Sequence, residues 1–307
     1  MIIPTLNEAA YLPGLLDAFN TQTRIPDEII VADASSRDNT VQIAQRAGCR
    51  VVVGGMPARG RNAGASAAKG DVFLFLDADV LPESNFIEKI LDEFIRLDCA
   101  VATCQIEPLE KYLTNSIVME ITNIYISAIQ AVSPHATGYC ILARREIHEG
   151  IGGFNETVQM AEDHDYVQRG ARHGKFKVLR HIRIPVSMRR PQKDGLLGWI
   201  LKVLWCEFYV LAGKPIYSMP FRYEFGAHAP PTVNKVFSRR AFDTLRFHKQ
   251  VGYLIYPFRR LSTIGQSQFG DLGRVDWMGI SRQKGIRLKN RLHFHVRRIV
   301  PTKKIKS

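Results

Sequence analysis

The sequence predicts an α/β fold with a mostly parallel central sheet, and three observations carry that prediction. Apolar runs of strand length alternate with longer segments of helical pattern between residues 2 and 179, the signature of strands joined by crossover helices. Several of the runs end in polar turns, and in open α/β sheets ligands bind outside the carboxyl ends of strands. One run, Gly70-Asp71-Val72-Phe73-Leu74-Phe75-Leu76-Asp77-Ala78-Asp79, stops abruptly at two carboxylates spaced by one residue.

Taken in order, strands are expected at 2–4, 28–33, 50–53, 72–77, 100–105, 140–143 and 176–179. Helical patterns cover 9–22, 40–47, 61–69 and 83–97. The first strand is short and passes into the polar turn Thr5-Leu6-Asn7-Glu8. Met1 stands one residue before it. The second strand ends in an acidic tip, Asp33-Ala34-Ser35-Ser36-Arg37-Asp38-Asn39, and Thr40 opens the next helix. Ala58-Arg59-Gly60-Arg61-Asn62-Ala63-Gly64-Ala65 opens an Ala-rich helix carrying two guanidiniums suited to a diphosphate by their fixed donor fork. The stretch 112–129 has a helical pattern weakened by Ile, Thr and Asn, and it is placed to cover an acceptor side. A further helix is expected at 163–173, opening with Glu162-Asp163-His164-Asp165.

Carboxylates carry most of the expected chemistry. Residues two apart on a strand point to one side, so Asp77 and Asp79 are placed to share a divalent cation or to divide a metal and a sugar hydroxyl between them. Magnesium is commonly held by one or two carboxylates plus substrate phosphates. A polar turn after a strand is the alternative. For Glu162, Asp163 and Asp165 the alternative is acidic enrichment at a helix start, where negative charge suits the dipole.

Six motifs in order resemble the inverting family-2 glycosyltransferases of the GT-A fold, from about residue 2 to about residue 190. They are Pro4-Thr5-Leu6-Asn7-Glu8, Val31-Ala32-Asp33-Ala34-Ser35-Ser36, Arg59-Gly60-Arg61-Asn62-Ala63-Gly64, Asp77-Ala78-Asp79, Gly152-Gly153-Phe154-Asn155-Glu156 and Glu162-Asp163-His164-Asp165-Tyr166. The resemblance implies a nucleotide-diphosphate sugar donor, with Asp33 reading the base, as uracil, and Pro4, Thr5 and Glu8 lining the same pocket. It places Arg59 or Arg61 near the base or diphosphate, Asp77 at the ribose and Asp79 on a Mn2+ or Mg2+ ion. It makes Asp163 the base that removes the acceptor proton, with Gly138 and Glu162 on the acceptor side. Arg189 or Arg190, in Ser187-Met188-Arg189-Arg190-Pro191, would close over the diphosphate, with a basic juxtamembrane anchor as the alternative.

Composition agrees with an enzyme of this size. The 307 residues suffice for one large domain or two smaller ones. Five cysteines without a C-x-x-C pair argue for reduced, packed thiols and against a zinc site. Cys140 is expected to pack in the core, beside the acceptor pocket at most. The amino terminus shows no secretory signal pattern, which leads to the expectation of a catalytic domain facing the cytoplasm. His228, His293 and His295 are expected to be structural or exposed.

Charge separates the chain into parts. Between 229 and 307 stand 18 Lys and Arg against 3 Asp, whereas the other residues carry 24 basic and 26 acidic side chains. Three segments are therefore expected: a catalytic domain at 1–190, an apolar helix with its connector at 191–228, and a basic, partly disordered extension at 229–307. Such an extension can bind any polyanion. Leu196-Leu197-Gly198-Trp199-Ile200-Leu201-Lys202-Val203-Leu204 begins an apolar helix reaching Gly213, with Trp199, Trp205 and Tyr209 suited to headgroup level. Leu197, Ile200, Leu201, Leu204, Phe208 and Leu211 fall on one face of it. Lys202 and Glu207 lie within 18 residues, so an interfacial helix is favoured over packing against the catalytic domain or a span.

The overall expectation is a peripheral enzyme on the cytoplasmic face of an anionic membrane, moving sugar to a lipid-linked or surface-glycan acceptor. A polyprenyl-phosphate sugar synthase is the nearest alternative. A nucleotidyltransferase lacks a glycine-rich triphosphate loop after the first strand, and a nucleic-acid binder lacks regularly placed aromatics in the basic segment.

Overall fold

The computed structural model describes residues 1–221 and 226. The expectations for 229–307, and for His228, His293 and His295, lie outside the described residues.

Seven strands, β1 (Ile2–Thr5), β2 (Ile30–Asp33), β3 (Arg50–Val53), β4 (Val72–Leu76), β5 (Val101–Pro108), β6 (Cys140–Arg144) and β7 (Phe176–Val186), form one sheet in the order β3-β2-β1-β4-β6-β5-β7. The pairings are parallel except at β6, which runs antiparallel to both β4 and β5. The alternation of strand and helix thus gives the mostly parallel sheet it predicts, with one reversed strand, β6, inserted between β4 and β5.

Alternate residues of each strand feed opposite layers. Ile3, Val31, Leu74 and Leu76 pack with Leu12, Leu15 and Phe19 of α1 (Leu12–Asn20), and that layer continues to Ile90 and Phe94 of α4 (Phe86–Arg96). Ile2, Phe73 and Phe75 face the other way, in the layer of Ala58 and Ala65 of α3 (Pro57–Ala67) and Tyr166 and Val167 of α7 (Glu162–Gly170). The Ala- and Gly-rich composition of α3 has a steric cause. A Cβ at Gly64 would stand 2.3 Å from Ile2 Cγ2, so the helix seats directly on β1. The remaining helices are α2 (Thr40–Arg46), α5 (Leu113–Ile129), α6 (Arg145–Gly150), α8 (Arg189–Asp194) and α9 (Leu196–Leu211).

Two departures from the sequence reading place the site. β4 ends at Leu76, so Asp77 and Asp79 lie in the following turn and the two-residue strand period no longer relates them. β7 runs seven residues past its expected end, because a shift of register after Cys104 lets Gln105–Pro108 of β5 pair with Arg183–Val186. The polar residues Arg180, His181 and Arg183 interrupt the apolar pattern and hide this continuation. The extension has a consequence for the carboxylate turn: the Leu81 amide donates to Pro185 O and the Ser187 amide to Asp79 O, both at 3.0 Å. It carries Arg189 to Asp79.

The five cysteines are free thiols, four of them buried. Among the described residues no helix is long and apolar enough to cross a membrane. α9 presents two faces: Trp205 and Val210 are buried, while Leu197, Leu204 and Leu211 are 61%, 58% and 57% exposed. Glu207, for which the sequence suggests no partner, accepts the Tyr125 hydroxyl of α5 and stands 2.8 Å from His135 Nε2.

Candidate active site

Thr5 and Asp33 are register partners at the ends of β1 and β2. The Thr5 hydroxyl donates to Asp33 Oδ1 at 2.9 Å, and Ser36 gives its hydroxyl to the same oxygen and its amide to Oδ2, at 2.6 and 2.8 Å. Asn7 and Ser35 adopt left-handed φ of 54° and 63°, tolerated for such short polar residues. The turns bring the two loops together: the Asn7 amide donates to Ser36 Oγ, and Asn7 Oδ1 accepts the Arg37 amide, both at 2.7 Å. Ser36 and Asn7 therefore hold the tip that carries Asp33, a role visible in the sequence only as turn-forming residues beside an Asp.

Glu8 follows this turn and is buried. Arg189 binds it through both terminal nitrogens, at 2.7 and 2.9 Å, and sets Nε 2.8 Å from Asp79 Oδ2. Burial raises the Glu8 carboxyl to about 7, against the opposing pull of Arg189, with Asp79 and Asp77 adding to the rise. Burial likewise raises Asp79, against Arg189. Neither Asp79 oxygen accepts a hydrogen bond of good geometry, although both are buried. Oδ1 is thus unpartnered and Oδ2 has only its ion pair with Arg189, and a buried carboxylate with a vacant oxygen is a ligand type that suits a hard divalent cation. Arg190 also contributes to the field at Asp79.

A second arginine organises the centre. Arg61, 2% exposed, donates to Asp77 Oδ1 at 2.9 Å, to Glu162 Oε1 at 2.8 Å and to Gly138 O at 3.1 Å. It therefore joins the turn after β4, the segment before β6 and the start of α7. Burial and the neighbouring Asp163 raise the Glu162 carboxyl, against Arg61. A Cβ at Gly138 would stand 3.1 Å from Arg61 Nη2 and 3.2 Å from Asp163 Oδ2, so glycine keeps that approach to Asp163 open. Ala161, at φ 62°, turns the chain into α7, and Asp163 Oδ1 accepts the His164 amide at 2.9 Å.

The structure thus gathers Thr5, Glu8, Asp33, Asp79 and Arg189 at one group of strand ends and Arg61, Asp77, Gly138, Glu162 and Asp163 beside them. Arg59 is exposed on α3, whereas Pro4 packs against that helix, 3.2 Å from an ideal Cβ at Gly60. Asn62 serves the scaffold: its amide donates to Phe154 O and Glu156 Oε1 at 2.9 Å, and its Oδ1 accepts the Phe154 amide at 2.8 Å. Gly153, at φ 71°, approaches so closely that a Cβ would stand 2.6 Å from Asn62 Oδ1. The two glycine-bearing motifs therefore fasten to each other.

Residues 1–152 match the family Glycosyl transferase family 2. The chain carries a family-2 glycosyltransferase domain. It is 31% identical over 185 residues to O-antigen chain rhamnosyltransferase RfbN of Salmonella typhimurium, covering 53% of this chain and 57% of that one. It is 38% identical over 87 residues to a PGL/p-HBAD biosynthesis glycosyltransferase of Mycobacterium tuberculosis, covering 26% and 34%. The chain thus matches 57% or less of the length of these two relatives. Mannosyltransferase PcManGT of Pyrobaculum calidifontis, solved with GDP-Man and Mn2+, superposes with a TM-score of 0.56 at 21% identity over 69% of this chain and 62% of that chain. That likeness is one of fold: the glycosyltransferase domain has the GT-A architecture.

Proposed function

We propose that the domain is an inverting, metal-dependent transferase moving sugar from a nucleotide-diphosphate donor, UDP-linked, to a hydroxyl of a lipid-linked or surface-glycan precursor. The observation that carries this reading is the Arg61 bridge. One buried guanidinium binds Asp77, a donor-side carboxylate, and Glu162, the neighbour of Asp163, so the two halves of a displacement reaction sit on either side of it. The rhamnosyltransferase relative supports a glycan acceptor.

In this reading Thr5, Glu8 and Asp33 receive the nucleoside, with Asp33 accepting from the base. Asp77 meets the ribose. The acceptor oxygen attacks the anomeric carbon opposite the diphosphate, that carbon's bond to the diphosphate oxygen breaks, and Asp163 takes the acceptor proton. General-base assistance of this kind is worth about 10²–10⁴-fold. Asp79 would hold the Mn2+ or Mg2+ ion, which supplies electrostatic stabilisation of the leaving diphosphate. Arg189 and Arg190 add positive charge on the same side.

The exposed leucines of α9 and the basic segment at 229–307 are the two signals that stable attachment to a bilayer commonly needs, and they support a peripheral position on the cytoplasmic face of an anionic membrane. Single-site uptake of donor tests the enzyme reading: a thermal-shift series with nucleotide sugars, with and without Mn2+, should show stabilisation by a UDP-sugar that a chelator removes. Ligand at 100 times its dissociation constant contributes about 2.7 kcal/mol, enough to register. Release of pyrophosphate from a nucleoside triphosphate, with no response to nucleotide sugars, would overturn it.

A further inference from the structure

A second group of ligand-bearing side chains includes the residue after Asp163 and shares no member with the Glu8, Asp79 and Arg189 cluster. His135 comes from the segment between α5 and β6, His164 from the first turn of α7, and Glu207 from α9. One ligand atom from each lies within 4.8 Å of the others. His135 Nε2 stands 2.8 Å from Glu207 Oε1, and the His135 and His164 rings are 4.5 Å apart between centroids.

The surroundings prepare these atoms for an ion. His135 Nδ1 stands 2.7 Å from Ser133 O. A carbonyl only accepts, so Nδ1 carries a hydrogen, and the Glu207 carboxylate likewise accepts from Nε2, whose hydrogen an ion bound between the two groups would replace. Tyr125 donates its hydroxyl to Glu207 Oε1, as outer partners commonly orient a ligating carboxylate. The independent observation is His164: its Nδ1 is buried and has no hydrogen-bond partner. An unpaired imidazole nitrogen in a protein interior normally finds a donor or acceptor, and a ring nitrogen of His164 lies within 4.8 Å of ligand atoms of the other two residues.

We propose that His135, His164 and Glu207 form a second divalent-cation site, selective for a borderline ion of the zinc class. Two imidazoles and one carboxylate suit such an ion, whereas Mn2+ and Mg2+ prefer the oxygens offered at Asp79. Three protein ligands leave a coordination position for water. The ion ties three segments together, fixing α9 to the helix whose first turn bears Asp163. Sequence spacing concealed the site, since its ligands are 29 and 43 residues apart and none belongs to a C-x-x-C or H-x-x-x-H pattern.

The test uses the full chain with Co2+ as a visible probe and Zn2+ as competitor. One equivalent of Co2+ should bind to wild-type protein and equally to Asp79→Asn, with d–d absorption showing nitrogen ligation, and Zn2+ should displace it. His164→Ala and Glu207→Gln should each weaken Co2+ binding at least 100-fold, and Zn2+ should raise the thermal midpoint of wild-type protein but not of His164→Ala. Should either variant fail to fold, X-ray absorption on the wild-type Co2+ complex decides: two imidazole ligands support the site, and an all-oxygen shell overturns it. No stoichiometric Co2+ binding, binding abolished by Asp79→Asn, or unchanged binding in folded His164→Ala would each overturn it while leaving the proposed transfer reaction standing.

Discussion

Arg189 grips Glu8 with both terminal nitrogens and holds its Nε 2.8 Å from Asp79, linking a residue after β1 to one after β4 through a side chain 181 residues from Glu8. One guanidinium compensates two buried carboxylates, and each would be left without its countercharge if Arg189 were removed. In metal-free protein Arg189→Ala should lower the unfolding free energy measured in urea by about 3–5 kcal/mol where both carboxylates are ionised. The loss should be larger at pH 8 than at pH 5, because at the lower pH the carboxylates take up protons in place of the arginine. Equal loss at the two pH values would show that the pairing is not electrostatic in origin.

Glu8 itself makes stability depend on pH. Its carboxyl is raised from 4.5 to about 7 in the fold, so between those values the folded state binds more protons than the unfolded one. Stability from this group therefore falls as pH rises from 4.5 to about 7. Thermal midpoints of Glu8→Gln in chelator should show a weaker decline over that interval than wild type.

Arg61 is enclosed between the turn after β4 and the start of α7, where it neutralises two carboxylates at once. Arg61→Met leaves Asp77 and Glu162 facing the interior unpaired. Breaking a buried pair in this way costs about 3–5 kcal/mol, measurable by equilibrium denaturation. A change below about 1 kcal/mol, the range of solvent-exposed pairs, would mean that water reaches both carboxylates.

For Asp163 the decisive comparison is rate against affinity. Asp163→Asn should lower turnover by about 10²–10⁴-fold and leave donor affinity unchanged, because an interaction made in the transition state affects the rate alone. Calorimetry with the nucleotide sugar measures the second quantity. Parallel loss of both would mark Asp163 as a helix-start residue that holds α7.

Leu197 and Leu204 are exposed on α9, so changing both to Ser should leave the thermal midpoint within about 1 °C, surface changes being small in effect. Binding to vesicles containing anionic lipid should fall several-fold. Flotation that is unchanged in the double variant would remove α9 from the attachment.

The sheet was legible because burial on two faces makes strands read as apolar runs, and because alternation with helices leaves few topologies. Thus β3 has the expected bounds, and β1, β2, β4 and β6 agree within two residues at each end. The end of β7 was not legible: its continuation depends on a register shift against β5, a property of the pair and not of either strand. The short helix α8 went unforeseen for a related reason, since Pro191 and two arginines give no apolar period to read.

By itself the sequence determined which side chains stand at strand ends, because hydrophobic runs fix where each strand stops and local turn chemistry fixes the residues just beyond it. Such local patterns, together with the family resemblance, singled out Asp33, Asp77, Asp79 and Asp163 as candidate site residues. Only the tertiary structure decided how they pair. Asp77 and Asp79, two residues apart, go to different arginines, Arg61 and Arg189, because the turn after Leu76 lies between α3 on one side and the extended end of β7 on the other. His135, His164 and Glu207 meet through the packing of α7 and α9 against the segment after α5. Long-range ion pairs and ligand clusters depend on distances across the fold, and no local period in the chain encodes them.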